Sequence, residues 1–319
     1  MTDADCVEFL QAILPRLGLC WPGFRKVRGL VRKRLTKRLR ELRVSDLLAY
    51  RTYLEGHREE WSILDELCRI PISRFYRDRD VFECVERDVL PVLARAVTTY
   101  GRNEISCWSA CCASGEEPYT LMVLWCLRLK PRFPQLQLRL VATDVDAHLL
   151  ERARTGCYGA SSMETLPPEL RADAFVRRGT NFCIRDEFRE IEFLHQDIRE
   201  VAPEGQFDLI MCRNAVLTYF APALQREVMV QTVARLRPGG ALVIGIHESL
   251  PDGLGGLAPW PGTRAIYRKL DCGAQKLDQR ATQWCSAVTS ASFVCDPRMI
   301  TAVPGESPAP PYMSISAPP

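Results

Sequence analysis

Residues 109–121, SACCASGEEPYTL, have the form of a tight turn opening a helix, where many nucleotide-dependent folds cradle a ligand. The turn carries one glycine, Gly115, and two adjacent carboxylates, Glu116 and Glu117. A pyrophosphate at a helix start needs converging backbone N–H groups, several glycines for close approach and no neighbouring anion. This turn has neither that glycine pattern nor the Lys-Ser/Thr pair of a phosphate-binding loop, and its acids repel phosphate. A ligand with a sulfonium and an ammonium but no phosphate has the complementary charge, which favours S-adenosylmethionine (SAM). A further acid, Asp144, ends the run LQLRLVATD and is suited to bind ribose hydroxyls, a role that either class of cofactor would use. For Glu116 or Glu117 taken alone, the competing explanation is pairing with the helix dipole.

The elements around these acids alternate. ISCWSA (105–110), LQLRLVATD (136–144), IEFLHQD (191–197), FDLIMCRN (207–214), ALVIGI (241–246) and RAIYRKL (264–270) are apolar runs of strand length. Between them lie amphipathic helices: one enters at Pro118, DAHLLERARTG stops at Gly156, and ALQREVMVQTVARLRPGG ends at its Pro-Gly-Gly. This alternation predicts a mainly parallel sheet with helices on both faces, an α/β fold of Rossmann-like type. Ligands of such sheets sit beyond the carboxyl ends of the strands. Those ends are 111–117, 143–146, 196–198 and 212–220, which makes Ala113, Gly115 and Ile198 candidate contacts beside the acids.

The 319-residue chain carries 42 Lys and Arg against 39 Asp and Glu, a net charge of +3, so attraction to a charged partner has to come from clustering. The cluster is FRKVRGLVRKRLTKRLRELR (24–43). Val27, Val31, Leu35, Leu39 and Leu42 form an apolar stripe, and ten residues of the twenty are basic. Arg34 and Arg38, with Lys33, Lys37 and Arg40 alongside, give the helix a cationic front whose partner is a nucleic acid, a membrane surface or an acidic protein helix. The fourteen cysteines are scattered, without a Cys-x-x-Cys pair, and the four histidines are dispersed; buried reduced thiols and no metal site are expected. The acidic start, MTDADCVEFL, is unlike a secretory leader, and no apolar run approaches a membrane span, so a cytoplasmic protein is expected. Composition divides the chain into helix-rich residues 1–88, the α/β region 89–270, and a Ser/Pro-rich tail, 271–319, expected to be disordered.

The blocks ISRFYRDRDVF, WSACCASGEEPYTL, VATDVDAHLLERARTGCY, IEFLHQDI, FDLIMCRNAVLTYF and LRPGGALVIGIHESLP occur in this order. Over about residues 24–270 the sequence resembles the CheR-type chemoreceptor glutamate methyltransferases. The resemblance implies a small N-terminal all-helical domain on a Rossmann-like SAM-dependent methyltransferase domain, and a monomer. It implies methyl transfer from SAM to glutamate carboxylates on an acidic helical region of a chemoreceptor, leaving S-adenosylhomocysteine. Arg77 and Tyr219 are implied as catalytic residues; Ser73, Arg77, Glu116, Asp144, Asp197, Arg213 and Asn214 as cofactor-binding; and the basic helix, through Arg34, Lys37, Arg38 and Arg40, as target-binding. Ser73 replaces the family's usual Thr, Tyr76 its usual Phe, and Asp197 an Asn. Segment 176–193 occupies the family's small β-subdomain and is short, which argues against docking on a receptor's tethering peptide.

A glutamate acceptor is already ionised near neutral pH, with a reference pKa of about 4.3, so its methylation requires alignment rather than a general base. That agrees with the absence of a His-Asp or Cys-His constellation. A nucleic-acid methyltransferase would carry an Asn/Asp-Pro-Pro-aromatic turn or a Pro-Cys nucleophile, and CRNAVLTYF is neither. A catalytically silent SAM-binding scaffold and a carboxyl methyltransferase with a different acceptor are the other readings.

Overall fold

The computed structural model describes residues 2–271, which lie in one compact unit; the expected disordered tail falls outside them except for Asp271. Helices α1 (Asp3–Ile13), α2 (Trp21–Phe24), α3 (Arg28–Leu42), α4 (Leu47–Gly56) and α5 (Glu60–Cys68) form the N-terminal layer. Thr2 caps α1 and Asp46 caps α4, each through a side-chain oxygen that accepts a backbone N–H of the first turn. The stripe on α3 is as the spacing predicts: Val31, Leu35 and Leu39 are buried, and Val27 and Leu42 pack at the margin.

The cationic front of α3 is narrower than the spacing predicts. Arg34 and Arg38 lie beside the apolar stripe and turn inward. Arg34 donates to the carbonyls of Leu67 and Arg69 at the end of α5, where the helix leaves acceptors unpaired. Arg38 forms a two-pronged ion pair with Glu60 at 2.9 and 2.7 Å, and the Tyr50 hydroxyl donates to the same carboxylate at 2.7 Å. Glu60 is 2% exposed, so this guanidinium neutralises a buried charge. Lys33, Lys37 and Arg40 remain on the exposed face.

Packing changes partners earlier than the composition break at residue 88. The helical core ends with Cys68 and Ile70, whereas Phe75, Tyr76, Phe82 and Val85 already belong to the core under the sheet. Helices α6 (Arg79–Cys84) and α7 (Leu90–Thr99) therefore line one face of the sheet. Beyond them come β1 (Glu104–Ala110), α8 (Glu116–Leu124), β2 (Gln137–Asp144) and α9 (Ala147–Thr155). A three-stranded insert follows, with β3 (Cys157–Gly159), α10 (Pro168–Ala174), β4 (Phe175–Arg178) and β5 (Asn181–Ile184). The chain then runs through β6 (Glu192–His195), β7 (Phe207–Cys212), α11 (Val216–Tyr219), α12 (Pro222–Ala234), β8 (Leu236–Val243), β9 (Leu257–Pro259) and β10 (Ile266–Lys269).

The main sheet has the order β6-β2-β1-β7-β8-β10-β9; β6 to β8 run parallel, and β10 pairs antiparallel with both β8 and β9. Along β7, Leu209 and Met211 enter one core while Ile210 and Cys212 enter the other, the period-two alternation of a sheet covered on both faces. Strand β8 begins at Leu236, so Pro238, Gly239 and Gly240 lie in a strand and α12 stops earlier, at Ala234. Pro118 is the third residue of α8 rather than the first. Cys157 and Cys183 face each other across β3 and β5 and are joined by a disulfide, contrary to the expectation of reduced thiols throughout. Pairing the two strands brings together cysteines 26 residues apart, a proximity their spacing does not disclose.

Candidate active site

The carboxyl ends of β6, β2, β1 and β7 open into a cleft whose other wall comes from the helical layer. Adjacent strands are about 4.8 Å apart, so the floor from β7 to β6 spans about 14 Å. In order along it lie Arg213 and Asn214 beyond β7, Cys111–Ala113 beyond β1, Asp144 at the end of β2, and Gln196–Ile198 beyond β6. Residues 69–74, Arg77 and Tyr219 complete the walls. Ser73, Arg77, Ala113, Asp144, Asp197, Ile198, Arg213, Asn214 and Tyr219 are thus gathered as the sequence suggests.

Glu116 and Gly115 are not among the lining residues. Glu116 is 1% exposed and accepts the Ser114 hydroxyl at 2.9 and 3.0 Å and that of Ser162 at 3.4 Å, which fastens the turn from beneath. The next residue, Glu117, faces the cleft. A helix advances about 100° per residue, so adjacent acids cannot share a face. Glu117 accepts from Ser109 Oγ at 2.7 Å and Arg213 at 3.1 Å; burial raises its pKa, and the nearby Arg213 charge opposes the rise. Gly115 has a purely steric task. Its φ is +90°, and a Cβ there would lie 2.8 Å from that of Ala153.

Arg213, nearly buried, organises the β7 end. It donates to Glu117, to Asp78 at 2.7 Å and to the Arg77 carbonyl at 2.8 Å, while its guanidinium lies 5.0 Å from the Phe82 ring centre. It therefore holds the backbone of Arg77, whose own side chain donates to the Ile72 carbonyl at 2.8 Å. Tyr219 sits where the two layers meet. Its ring packs edge-on against Phe24, its carbonyl accepts from Cys20 N at 2.8 Å, and burial raises its pKa. This contact requires a glycine at position 23, because a Cβ there would approach the Thr218 carbonyl oxygen to 2.2 Å. Glu248 secures the same segment by accepting from Asn214 N, Gly245 N and the Thr218 hydroxyl at 2.5–2.9 Å.

In the middle of the cleft, Asp144 accepts from Ala113 N at 2.8 Å and Asp146 N at 2.9 Å; burial raises its pKa against those two bonds. At the β6 end, Arg199 joins the layers. It donates to Asp65 of α5 at 2.7 and 2.9 Å and clasps Asp197 at 2.6–3.0 Å, while Arg69 adds a third contact to Asp65 at 3.1 Å. Burial pushes the Asp65 pKa up, and the two guanidiniums more than reverse this, leaving it below the ordinary value. Cys111 and Cys112 line the cleft as thiols, pushed well up by burial, which suits packing rather than nucleophilic work.

Residues 72–260 match the family described as CheR methyltransferase, SAM binding domain. The chain belongs to the CheR methyltransferase family. The chemotaxis protein methyltransferase of Listeria innocua is 35% identical over 192 residues, covering 59% of this chain and 70% of its own. That of Salmonella typhimurium is 29% identical over 265 residues, covering 79% of this chain and 86% of its own. An uncharacterized 104.1 kDa protein of Rhodobacter capsulatus is 31% identical over 256 residues, covering 79% of this chain and 26% of its own. The cofactor of this CheR-family chain is SAM, and the cleft fits it. Arg69 Nε, Gln196 Oε1 and Arg213 Nε are buried without a protein partner, and all three residues line the cleft. Glu117 and Asp144 supply the acidic side chains that suit a cationic nucleoside, whereas the two arginines suit a carboxylate. Among the described residues there is no cluster of metal-ligating side chains and no helix long and apolar enough to cross a membrane.

The residues that sequence reasoning missed are Glu117 as the acid in the cleft, Asp65, Arg69 and Arg199 across it, Gln196, and Glu248 behind Asn214. The two acids of GEEP were visible, but not which one faces the ligand. Asp65 and Arg199 are 134 residues apart and carry no local signal.

Proposed function

We propose that this protein is a cytoplasmic, monomeric protein-glutamate O-methyltransferase that esterifies side-chain carboxylates on an acidic helical segment of a chemoreceptor. SAM supplies an electrophilic methyl group on a cationic sulfur. A carboxylate oxygen attacks that carbon, the carbon–oxygen bond forms as the carbon–sulfur bond breaks, and the electron pair stays on sulfur. No proton has to move, so the chain's task is alignment and exclusion of water. Arg77 and the Tyr219 hydroxyl hold the acceptor carboxylate in line, Arg213 fixes the backbone of Arg77, and Glu117 and Asp144 retain the donor. Ser73, Ala113, Ile198 and Asn214 complete the cofactor's walls.

The observation that carries this reading is the composition of the cleft's β7 end. It offers an arginine and a tyrosine, its one acid there is already engaged by Ser109 and Arg213, and no described histidine lines it. Such a set suits an acceptor that arrives deprotonated. The exposed side of α3, through Lys33, Lys37 and Arg40, supplies the attraction for an acidic helix, and each ester formed removes one charge from that target. The insert bears on how the target is held. Its β4 and β5 are joined by only Gly179 and Thr180, which favours recognition without a tethering peptide and keeps a different acidic protein as the second reading.

Incubation with tritiated SAM and candidate receptors tests the proposal. Base-labile volatile counts on a discrete band are expected, lost with Arg77→Ala and reduced about tenfold to a hundredfold with Tyr219→Phe, while both variants still bind S-adenosylhomocysteine. Methyl transfer unaffected by both substitutions, or counts stable to base, refutes it.

A further inference from the structure

The β7 end of the cleft is built on a weak element. Tyr219 is the last residue of α11, a single turn of four residues, and a helix that short does not hold itself in place. Val216 anchors its start in the core. From the outside the helical layer pins its carboxyl end: Cys20 N donates to the Tyr219 carbonyl and Ala221 N to that of Gly18, both at 2.8 Å, and α2 presses on α11 at Gly23.

The inner tie comes from Glu248, in the loop after β8, the strand beside β7. Its Oε1 accepts the Thr218 hydroxyl at 2.5 Å, and its Oε2 accepts Asn214 N at 2.9 Å and Gly245 N at 2.7 Å. One carboxylate thus binds α11, the end of the β7 loop and its own loop together. Asn214 has a φ of +56°, a left-handed backbone that needs outside support. Gly245 permits the approach, since a Cβ there would lie 2.7 Å from the Glu248 carboxylate and 2.8 Å from Asn214 Oδ1. Successive helical residues point about 100° apart, so fixing the direction of Thr218 also fixes that of Tyr219. Hydrogen bonds to a carboxylate are stronger than those between neutral groups, and a displacement of about 1 Å at a reacting group can cost about a hundredfold in rate.

We infer that Glu248 is a positioning residue for methyl transfer, its carboxylate setting α11 and, through it, the Tyr219 hydroxyl against the acceptor. Glu248 is not among the residues lining the cleft, so it acts through Thr218 and Asn214. The inference rests on the role proposed above for Tyr219.

The test is a double-mutant cycle on the full chain, read as steady-state transfer from tritiated SAM to the receptor that carries the base-labile counts, with S-adenosylhomocysteine binding followed by calorimetry. Thr218→Val removes the hydroxyl at constant shape and is expected to lower kcat about tenfold, with affinity for S-adenosylhomocysteine within about twofold of wild type. Placed in Tyr219→Phe, the same change should cost less than about twofold, because no hydroxyl remains to be misplaced. Glu248→Ala should lose at least as much rate as Thr218→Val. Glu248→Gln offers an oxygen to the two N–H groups and an amide donor to Thr218, and should recover to within about threefold of wild type. Should Glu248→Ala not fold, the Thr218 cycle carries the test. An equal loss of kcat in both backgrounds would mean that the tie serves the fold alone, and overturns the inference. So does an unchanged kcat in Thr218→Val, or a Glu248→Gln enzyme as slow as Glu248→Ala. Those outcomes leave the reading of the site standing, whereas Tyr219→Phe at the wild-type rate removes that reading and the inference together.

Discussion

Replacing Arg199 by Met keeps the length of the side chain and removes its charge from the seam between helical layer and sheet. Two carboxylates are then stranded. Asp65 keeps only Arg69, and Asp197 keeps only a backbone N–H, because its other bonds come from the Arg199 side chain. The side chains are 24% exposed for Arg199, 13% for Asp65 and 14% for Asp197, between surface and interior. Exposed pairs contribute about 0.2–1 kcal/mol, and breaking fully buried ones costs about 3–5 kcal/mol, so about 2 kcal/mol is expected here. For a domain of this size that lowers Tm by about 4–8 °C. Urea titrations should show a reduced midpoint at unchanged slope.

The pH dependence has a definite sign. The folded pKa of Asp65 lies below its ordinary value of 3.8, so the stabilisation is fully present above 3.8 and lost as pH falls through the lower folded value. Wild type and variant should therefore converge in strong acid. A double-mutant cycle of Arg199→Met with Asp65→Asn should give a coupling of about 1–2 kcal/mol. A loss below about 0.5 kcal/mol at neutral pH, or additivity of the two changes, would show that the seam is held by packing alone.

Adjacent acids should separate cleanly: Glu117→Gln weakens SAM binding about tenfold or more by calorimetry, whereas Glu116→Gln leaves affinity unchanged and lowers stability by about 1 kcal/mol. Because burial raises the pKa values of Glu117 and Asp144, SAM affinity should be complete above those raised values and fall as pH drops through them. The fall should begin at a higher pH than for ordinary carboxylates and be steeper for SAM than for S-adenosylhomocysteine, whose sulfur is neutral; equal curves would place the acids away from the sulfonium. On α3, Lys33→Glu with Lys37→Glu should weaken acceptor binding in a salt-sensitive way at unchanged Tm, while Arg38→Ala should cost about 3 kcal/mol of stability by stranding Glu60.

The alternation of apolar strands with amphipathic helices was enough to place β1, β2, β6 and β7, because period and length are local properties. So were the stop at Gly156 and the apolar stripe of α3. The strand ends then located the cleft, since the topology of such a sheet leaves little choice, and the acidic turn selected a cationic nucleoside on charge alone. What lay beyond the sequence was direction. Glu116 and Glu117 are equivalent as letters and opposite in space. Arg34 and Arg38 look like surface cations until α5 supplies bare carbonyls and a buried Glu60. Asp197 reads as an unpaired carboxylate until Arg199, held by an aspartate from a distant helix, pairs with it. Residue types and local periodicity specify which elements form and what charge they carry. Which side chain is left free to meet a ligand depends on partners brought together only when the layers pack, and that the tertiary structure alone decides.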